Sequence, residues 1–591
     1  MLDKFGVARA LREIGSLLEL EGENPFKVRA YETGARALEG LAEDLGRLVA
    51  EKRLTEVPGI GEALAGKITS LHTTGRSDTL DKLRARHPPG ILELLQVPDL
   101  GPRKVAALNA ALGVCGLADL EAACRDGRVA GVKGFGERTQ ARILAGIERV
   151  RAQAADRRVL LARALDEAEP LLAHLRGAPG TAAVELAGSA RRGRETVGDL
   201  DLVAASRDPS ALSARLGAYP GAELLARGET KTTARLGSGL QVDLRVAAPE
   251  DLATLLHHMT GSKAHHLRLR GLARELGYTL SEWGLHRLPP SGTDPDTPPD
   301  PTAKVVVESE EALYRALGLS YVPPELREDA GELEAAGDGS LPVDLVLAED
   351  VRGMVHCHTT WSDGRASLEE MARAAQAMGM EYLTVTDHSP SAGYAGGLSL
   401  DRLRRQWEEV DRVQERVRIR LLKGTEADIL EDGALDWPDT VLEQLEVVVA
   451  SVHSRMRMDE EQMTRRLVRA MSAPVFKIWG HGMGRLLGER EAYPVRVEEV
   501  LDALAASRGA VEVNGDPRRL DLEPRHLRAA HARGIPVVLS VDAHDVAGLS
   551  CLRLAALTAR RGWTRRGQVL NTLGATEFAA AVRPSPPTGP P

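Results

Sequence analysis

The chain has 591 residues, room for about four domains at roughly 150 residues each. Hydrophobic residues make up 43% and charged ones 27%, which excludes wholesale disorder, and with aromatics at only 3% the cores are expected to be built from Leu, Val and Ala. A formal net charge of −9 excludes a protein that coats nucleic acid by bulk charge; it leaves local backbone sites for DNA and carboxylates for metals.

Four cysteines, Cys115, Cys124, Cys357 and Cys551, are too scattered for a disulfide framework or a Cys-type zinc site, which fits a reducing cytosol. The opening MLDKFGVARALREIG has no apolar run of signal-peptide type, and no stretch approaches the roughly 20 apolar residues of a membrane span. The expectation is a cytoplasmic protein with no membrane partner.

Residues 1–150 read mostly as helix, in short amphipathic runs broken by glycine and proline. Within them Val57-Pro58-Gly59-Ile60-Gly61, Val97-Pro98-Asp99-Leu100-Gly101 and Val132-Lys133-Gly134-Phe135-Gly136 each precede a helical run. Backbone N–H groups in such a turn can reach phosphate oxygens, and Gly59, Gly61, Gly101, Gly134 and Gly136 carry no side chain to obstruct them. One copy alone would be an ordinary helix connection; three in the same order favour phosphate binding. Asp99 stands where the other copies have glycine and weakens that copy, although Asp tolerates left-handed backbone better than most residues.

From about residue 160 the texture becomes strand-like, at 182–189, 199–206, 239–246 and 304–309. The proline-rich LPPSGTDPDTPPDP between Arg287 and Thr302 is expected as a loop, and 324–350 as a polar connector. Beyond it apolar strands alternate with amphipathic helices, which implies a mostly parallel sheet closing into a barrel with active groups at the strands' carboxyl ends. The tail RPSPPTGPP is expected to be disordered.

Two constellations carry chemistry. In Gly198-Asp199-Leu200-Asp201, residues two apart in a strand share a face, so both carboxylates enter one site, and Asp243 can add a third from a neighbouring strand. Like charges this close call for a divalent cation, and oxygen ligands suit Mg²⁺ or Mn²⁺. Upstream, in Gly188-Ser189-Ala190-Arg191-Arg192-Gly193, Ser189 and Arg192 with the Gly198 backbone can hold a polyphosphate. The second constellation is His356, His358, Asp363, His388, Glu426, His453, His481, Asp542 and His544, most of them at the end of an apolar strand. A lone buried His is more often a core residue; nine such groups at strand ends are not nine accidents, and imidazole with carboxylate suits Mn²⁺, Zn²⁺ or Fe²⁺.

The three N-terminal turns resemble the helix-hairpin-helix, a sequence-independent binder of DNA backbone. The GSARRG and GDLD motifs with Asp243 resemble the nucleotidyltransferase superfamily and, within it, the palm of family X DNA polymerases. That resemblance implies that Asp199, Asp201 and Asp243 are catalytic, the first two binding both metals and Asp243 the catalytic one while helping to activate the primer 3′-hydroxyl. It also implies that Ser189, Arg192, Gly198 and Gly261 bind the nucleotide. Thr260-Gly261-Ser262-Lys263 matches the family's nucleotide-pocket turn, but His258-Met259 stands where the family shows Tyr-Phe, and His266 where it shows Asn. The N-terminal segment looks like the family's lyase domain, with Lys67 at the Schiff-base position and Tyr31 and Lys27 in support; a solvated helix lysine is the plainer account. The nine His, Asp and Glu residues match the PHP (polymerase and histidinol phosphatase) domain position by position, which implies three divalent metals; Arg455 and Lys423 are phosphate contacts or plain surface.

The combination resembles the bacterial family X DNA polymerases over nearly the whole chain. It implies a multidomain α/β protein: a helical helix-hairpin-helix N-terminal region, a nucleotidyltransferase α+β palm and thumb, and a C-terminal distorted (β/α)7 PHP barrel. The expected divisions are 1–85 lyase-like, 86–155 helix-hairpin-helix fingers, 156–250 palm, 251–324 thumb, 325–350 linker, 351–583 PHP and 584–591 tail. The implied function is DNA repair by gap-filling synthesis and metal-dependent 3′–5′ exonuclease action, with gapped or nicked DNA and dNTPs as partners and a monomeric state. One alternative is a structure-sensitive nuclease or 3′-end phosphatase whose polymerase half serves as a DNA-binding platform. Another is a non-catalytic scaffold that binds DNA ends.

Overall fold

A computed structural model describes residues 4–39, 45–88, 90–97, 100–155, 158–288 and 303–584. Asp99, nearly all of the proline-rich loop and residues 585–591 lie outside the described residues, so the expectations for them are left there. The chain divides between Arg157 and Arg158 into two compact units.

The first unit is helical, as its sequence predicts. Lys4–Leu20, Pro25–Glu39, Glu62–Thr74, Asp78–Arg86, Pro102–Leu112, Leu117–Arg125 and Glu137–Ala155 are its longer helices. Gly75 and Gly113 end two of them in left-handed conformation, at φ 72° and 66°, and Pro102 opens the helix that Gly113 ends, where no N–H partner is needed. No core boundary falls at 85/86: Leu11, Ile14, Ile68 and Leu71 from one side and Leu94, Val105, Leu108 and Ile143 from the other are buried in one cluster. The segments 1–85 and 86–155 therefore share a core. Among the described residues no single helix is long and apolar enough to cross a membrane.

Two of the second unit's sheets position the two side-chain clusters described below. The palm strands are β1 (Thr181–Leu186), β2 (Asp199–Ser206), β3 (Glu223–Arg227), β4 (Lys231–Arg235) and β5 (Gln241–Ala247), in the order β1-β2-β5-β4-β3. β2 and β5 run parallel with Asp201 opposite Asp243, and β4 runs antiparallel with Thr233 opposite Asp243. Two expected strands are shorter than their sequence suggested. β1 stops at Leu186 because Gly188 takes φ 62° and starts the helical turn Gly188–Arg191. Of 304–309 only Lys304–Val305 pairs, against Gly284–Arg287, and Val306 is exposed.

The stretch 325–350 is not a solvated linker. It contains the helix Glu332–Asp338, and Leu326, Leu333, Ala335, Leu341 and Leu345 join the buried cluster of the preceding 253–322 region. Its polar groups are buried with partners: Arg327 reaches Glu310 Oε1 at 2.5 Å, and His265 Nδ1 lies 2.6 Å from Glu332 Oε1. Periodicity missed this because the burial depends on long-range charge pairing, not on an apolar stripe.

The seven barrel strands are β6 (Gly353–Cys357), β7 (Tyr382–Val385), β8 (Arg420–Asp428), β9 (Val447–Ser451), β10 (Lys477–Trp479), β11 (Gly509–Asn514) and β12 (Val537–Ser540). They pair in chain order, all parallel. The ring closes past β12, where His358 N–H donates to Ala543 O at 2.8 Å and Ala543 N–H to His356 O at 3.1 Å. β6, β7, β9 and β10 are buried throughout, as parallel strands covered on both faces are. Leu520 and Leu554 of this region join the palm's buried cluster. Pro584, at the start of the expected disordered tail, is buried and its carbonyl accepts from Phe476 N–H at 3.1 Å.

Candidate functional site

The N-terminal turns repeat one geometry. Ile60 N–H donates to Val57 O at 3.0 Å, Leu100 N–H to Val97 O at 3.1 Å and Phe135 N–H to Val132 O at 2.9 Å. Gly59 and Gly134 both take φ 92°, a conformation that favours glycine. A Cβ at Gly61, Gly101, Gly134 or Gly136 would meet nothing within 4 Å, so these backbone faces are open, whereas Gly59 packs against Thr33. Lys67, half-buried, hydrogen-bonds Thr79 Oγ1 at 3.1 Å, and Lys27 pairs with Glu23 at 2.7 Å.

In the palm, the strand register brings Asp199, Asp201 and Asp243 together, each with a carboxylate oxygen within 4.8 Å of the others. Burial, with Asp199 and Asp243 beside it, pushes the Asp201 carboxyl up to about 7, and burial and Asp243 raise Asp199. Three oxygen donors that destabilise one another's charge fit a hard divalent cation. Thr233 Oγ1 donates to Asp243 Oδ1 at 2.6 Å and Lys231 Nζ lies 2.9 Å from Asp243 Oδ2. Both come from β4, whose register is invisible in sequence.

Beside the triad lies a cavity of about 470 Å³ lined by Ser189, Arg192, Gly261 and Lys263 together with His258 and His266. Gly198, the fourth expected nucleotide contact, is not in its lining. Arg192 donates through Nε to Glu328 Oε1 at 3.0 Å and through Nη1 to Thr260 O. Where the family would place an aromatic pair and Asn, His258 Nδ1 lies 3.2 Å from His266 Nε2; burial and His258 push His266 down to about 4.

Gly188 sits against the triad. A Cβ there would fall 2.0 Å from Asp201 Oδ2, and its φ of 62° disfavours any side chain. Gly188→Ala is expected to lower whatever activity the triad carries about 5- to 150-fold, the range that roughly 1–3 kcal/mol of imposed strain gives. Rates at the triad measured beside those of the barrel cluster described next check this, since the second should not follow.

In the barrel, all nine expected side chains converge at the carboxyl ends of the strands. They form four overlapping groups whose ligand atoms lie within 4.8 Å: His358, Asp363, His388 and His544; His356, Glu426 and His481; His356, His358 and Asp542; and His388, Glu426 and His453. Glu426 is the hub. Its Oε1 lies 2.9 Å from His481 Nε2, 3.2 Å from His356 Nε2 and 3.3 Å from His453 Nε2, and its Oε2 lies 3.1 Å from His388 Nδ1.

The donor set fits metal ions by its orphans. His356 Nε2, both ring nitrogens of His358, His388 Nδ1, His481 Nδ1 and Glu426 Oε2 are buried without a hydrogen-bond partner, a cost unless something accepts their lone pairs. Burial, with His544 and His388 beside it, pushes His358 down to about 3. Burial also works against a charged His356, but Glu512, Glu426 and Asp542 hold it well above the ordinary imidazole range. His356, His481 and Asp542 take positive φ values of 64°, 27° and 47°, strain of the kind that accumulates where geometry serves a site.

Three partners escaped the sequence reading. Glu512 Oε1 lies 2.5 Å from His356 Nδ1, Asp428 holds His453 Nδ1, and Arg519 Nε lies 3.1 Å from Asp542 Oδ2. Asp387 accepts from Thr359 N–H at 2.8 Å and Gln406 Nε2 at 2.6 Å, bracing the loop beside His388. The charged residue in the otherwise apolar GAVEVN was the available signal for Glu512. Lys423 pairs with Asp411 at 2.7 Å and Arg455 with Glu431 at 3.4 Å.

Comparison with known proteins places these features. Residues 4–77 match a helix-hairpin-helix domain, 91–149 a SAM-like helix-hairpin-helix tandem, 255–328 the DNA polymerase beta thumb and 355–516 the PHP domain. The chain is 34% identical over 587 residues to a DNA polymerase/3′–5′ exonuclease PolX of Bacillus subtilis (strain 168), covering 98% of this chain and 100% of that protein. It is 29% identical over 230 residues to a probable phosphatase of Thermoanaerobacter sp. (strain X514), covering 37% of this chain and 89% of that protein. A crystal structure of Leishmania infantum polymerase beta aligns at 21% identity with a TM-score of 0.28, over 40% of this chain and 97% of that one; so slight a likeness carries no structural argument.

Proposed function

The chain belongs to the PolX family of DNA polymerase/3′–5′ exonucleases, and from that premise we propose that the palm triad and the barrel cluster are its two active centres, acting on the same DNA 3′ terminus. The chain is a DNA polymerase and 3′–5′ exonuclease whose substrates are DNA and dNTPs. The observation that carries the barrel's assignment is the convergence of nine side chains, distant in sequence, into overlapping groups at the strand ends.

In the palm, Asp199, Asp201 and Asp243 would hold Mg²⁺ or Mn²⁺, which supplies charge neutralisation and Lewis acidity to nucleotidyl transfer. Arg192, anchored on Glu328 and Thr260, turns its remaining donors to the nucleotide's phosphates with Ser189, while the Gly261 turn shapes the pocket and Gly198 supports the strand entry. Asp243, steadied by Thr233, is the carboxylate that meets the primer 3′-hydroxyl. In the barrel, the nine residues would hold three divalent ions (Mn²⁺, Zn²⁺ or Fe), which supply Lewis acidity and a nucleophile from water. Glu512 and Asp428 fix the tautomers of His356 and His453 so that the other ring nitrogen faces the site. The open glycine faces of the N-terminal turns hold DNA backbone.

The biological role that fits is short-gap filling in base excision repair, by a monomer working in the cytoplasm on nucleoid DNA. Extension of a primed one-nucleotide gap with Mg²⁺ or Mn²⁺ tests it. The His258–His266 pair in the nucleotide cavity favours one second reading, a nuclease or 3′-end phosphatase with a degenerate polymerase half; a wild type that shortens but never extends the primer selects that reading. The structural divisions we assign are 1–157 as one helical DNA-binding body, 158–250 palm, 251–350 thumb with its packed arm, and 351–584 barrel.

Of the two readings of Lys67, Schiff-base nucleophile or plain helix lysine, we take the second, with its amine held by Thr79 Oγ1 at 3.1 Å. Lys67→Ala is expected to leave borohydride trapping on an abasic-site duplex within about twofold of wild type; a complete loss of trapping would restore the lysine as the Schiff-base nucleophile.

A further inference from the structure

Tyr394 stands at the mouth of the barrel cluster with its ring centroid 6.2 Å from that of His388 and 6.3 Å from that of His453. It is 71% exposed, in a chain with only five Phe, eight Tyr and six Trp. Among the described residues the exposed aromatics are Phe26, Trp283 and Tyr394, and of these Tyr394 alone borders a candidate active centre. An apolar ring held in water loses the stabilisation that burial would give it, so its position calls for an account.

The segment that presents it is not a loose loop. Ala392, Ala395 and Leu398 on either side are buried. Ser391 N–H and Oγ donate to the Asp436 carboxylate at 2.7 and 2.5 Å, Gly397 N–H donates to Ala392 O at 3.0 Å, and Leu398 N–H to His388 O at 2.8 Å. Gly397 leaves no room for a side chain, since a Cβ there would fall 2.0 Å from Ser389 O. The backbone is thus pinned on both sides of a ring that projects outward, the arrangement of a preorganised contact rather than of a core residue that has slipped out.

We propose that Tyr394 is the platform on which the 3′-terminal base of a DNA strand stacks when that terminus enters the barrel cluster. The inference rests on the exonuclease assignment of that centre. A flat ring suits the task because every base has a π-face, so stacking holds the terminal nucleotide over the site without reading sequence. Stacking rather than a hydroxyl hydrogen bond is the contact that matters, which makes Tyr394 a positioning residue for the hydrolysis.

The test uses the full chain and single-stranded oligonucleotides carrying 2-aminopurine at the 3′ end. Tyr394→Leu is expected to raise the exonuclease KM about tenfold with kcat within about threefold, and to remove the fluorescence quenching that wild type produces on binding in a chelator. Tyr394→Phe and Tyr394→Trp, which keep a ring, should restore both. Thermal melting of each variant should match wild type, because the side chain is exposed. Unchanged KM and quenching in Tyr394→Leu overturn the platform, and so does a Tyr394→Phe as impaired as Tyr394→Leu. A wild type that never shortens the strand overturns the exonuclease reading instead; the quenching comparison then still decides on Tyr394.

Discussion

Replacing Glu426 with glutamine is expected to lower 3′–5′ exonuclease turnover by at least about 10³-fold, the factor that about 4 kcal/mol of lost transition-state stabilisation gives. Glu426 is the one carboxylate whose two oxygens reach both sides of the cluster: one faces His481, His356 and His453, the other His388 and His358. Although burial works against its ionisation, His453, His356 and His388 hold its carboxyl well below the usual carboxylate range. The amide keeps the volume but removes the charge and one acceptor, so the imidazoles lose the anion that organises them around any cation. The fold should survive, since the strands around the site bury Val447, Val449, Ile478 and Val511 independently of it. Single-turnover degradation of a 3′-labelled strand, with circular dichroism as the control for folding, measures the loss. Incorporation of dNTPs by the same variant should stay within about twofold of wild type.

Asp201→Asn is the mirror experiment, with an expected loss of at least about 10³-fold in nucleotide incorporation and an intact nuclease. Burial, with Asp199 and Asp243 pressing on it, raises the Asp201 carboxyl to about 7 without a cation. A raised carboxyl is the signature of a charge that waits for compensation, and removing it leaves two anions across β2 and β5 with a neutral amide between them. Because like charges are thereby separated, the variant is expected to melt no lower than wild type in chelator while its stabilisation by Mn²⁺ shrinks. Primer extension on a gapped duplex and melting with and without Mn²⁺ report both effects.

Much of this was legible in the sequence because the ligands obey simple periods. Asp199 and Asp201 lie two apart on an alternating strand, and the barrel residues fall where apolar runs such as EYLTVT and EVVVAS end. What stayed hidden depends on register or on pairing across long separations. Thr233 meets Asp243 only because β4 pairs with β5 in one register. Glu512 and Asp428 become partners of His356 and His453 only once the barrel closes, and Tyr394 lies in a loop whose sequence, SPSAGYAGG, promises a turn and nothing more. The arm at 325–350 read as polar because its buried groups, Arg327 and Glu332, are satisfied by Glu310 and His265 far back in the chain. Burial through charge pairs leaves no hydrophobic pattern to read. The shared core of the helical unit was hidden for the opposite reason: its leucines show the right period, but periodicity alone cannot tell whether two stripes face one another or separate partners.

The central claim is that two separate centres in one chain work on the same 3′ terminus. It is tested most directly by a time course on a gapped duplex in Mn²⁺, with and without dNTPs, for wild type, Asp201→Asn and Glu426→Gln. The account predicts extension and shortening by wild type, shortening alone by Asp201→Asn, and extension alone by Glu426→Gln. If either substitution removes both activities from a folded protein, or neither changes the product pattern, the two clusters are not independent active centres and the account fails.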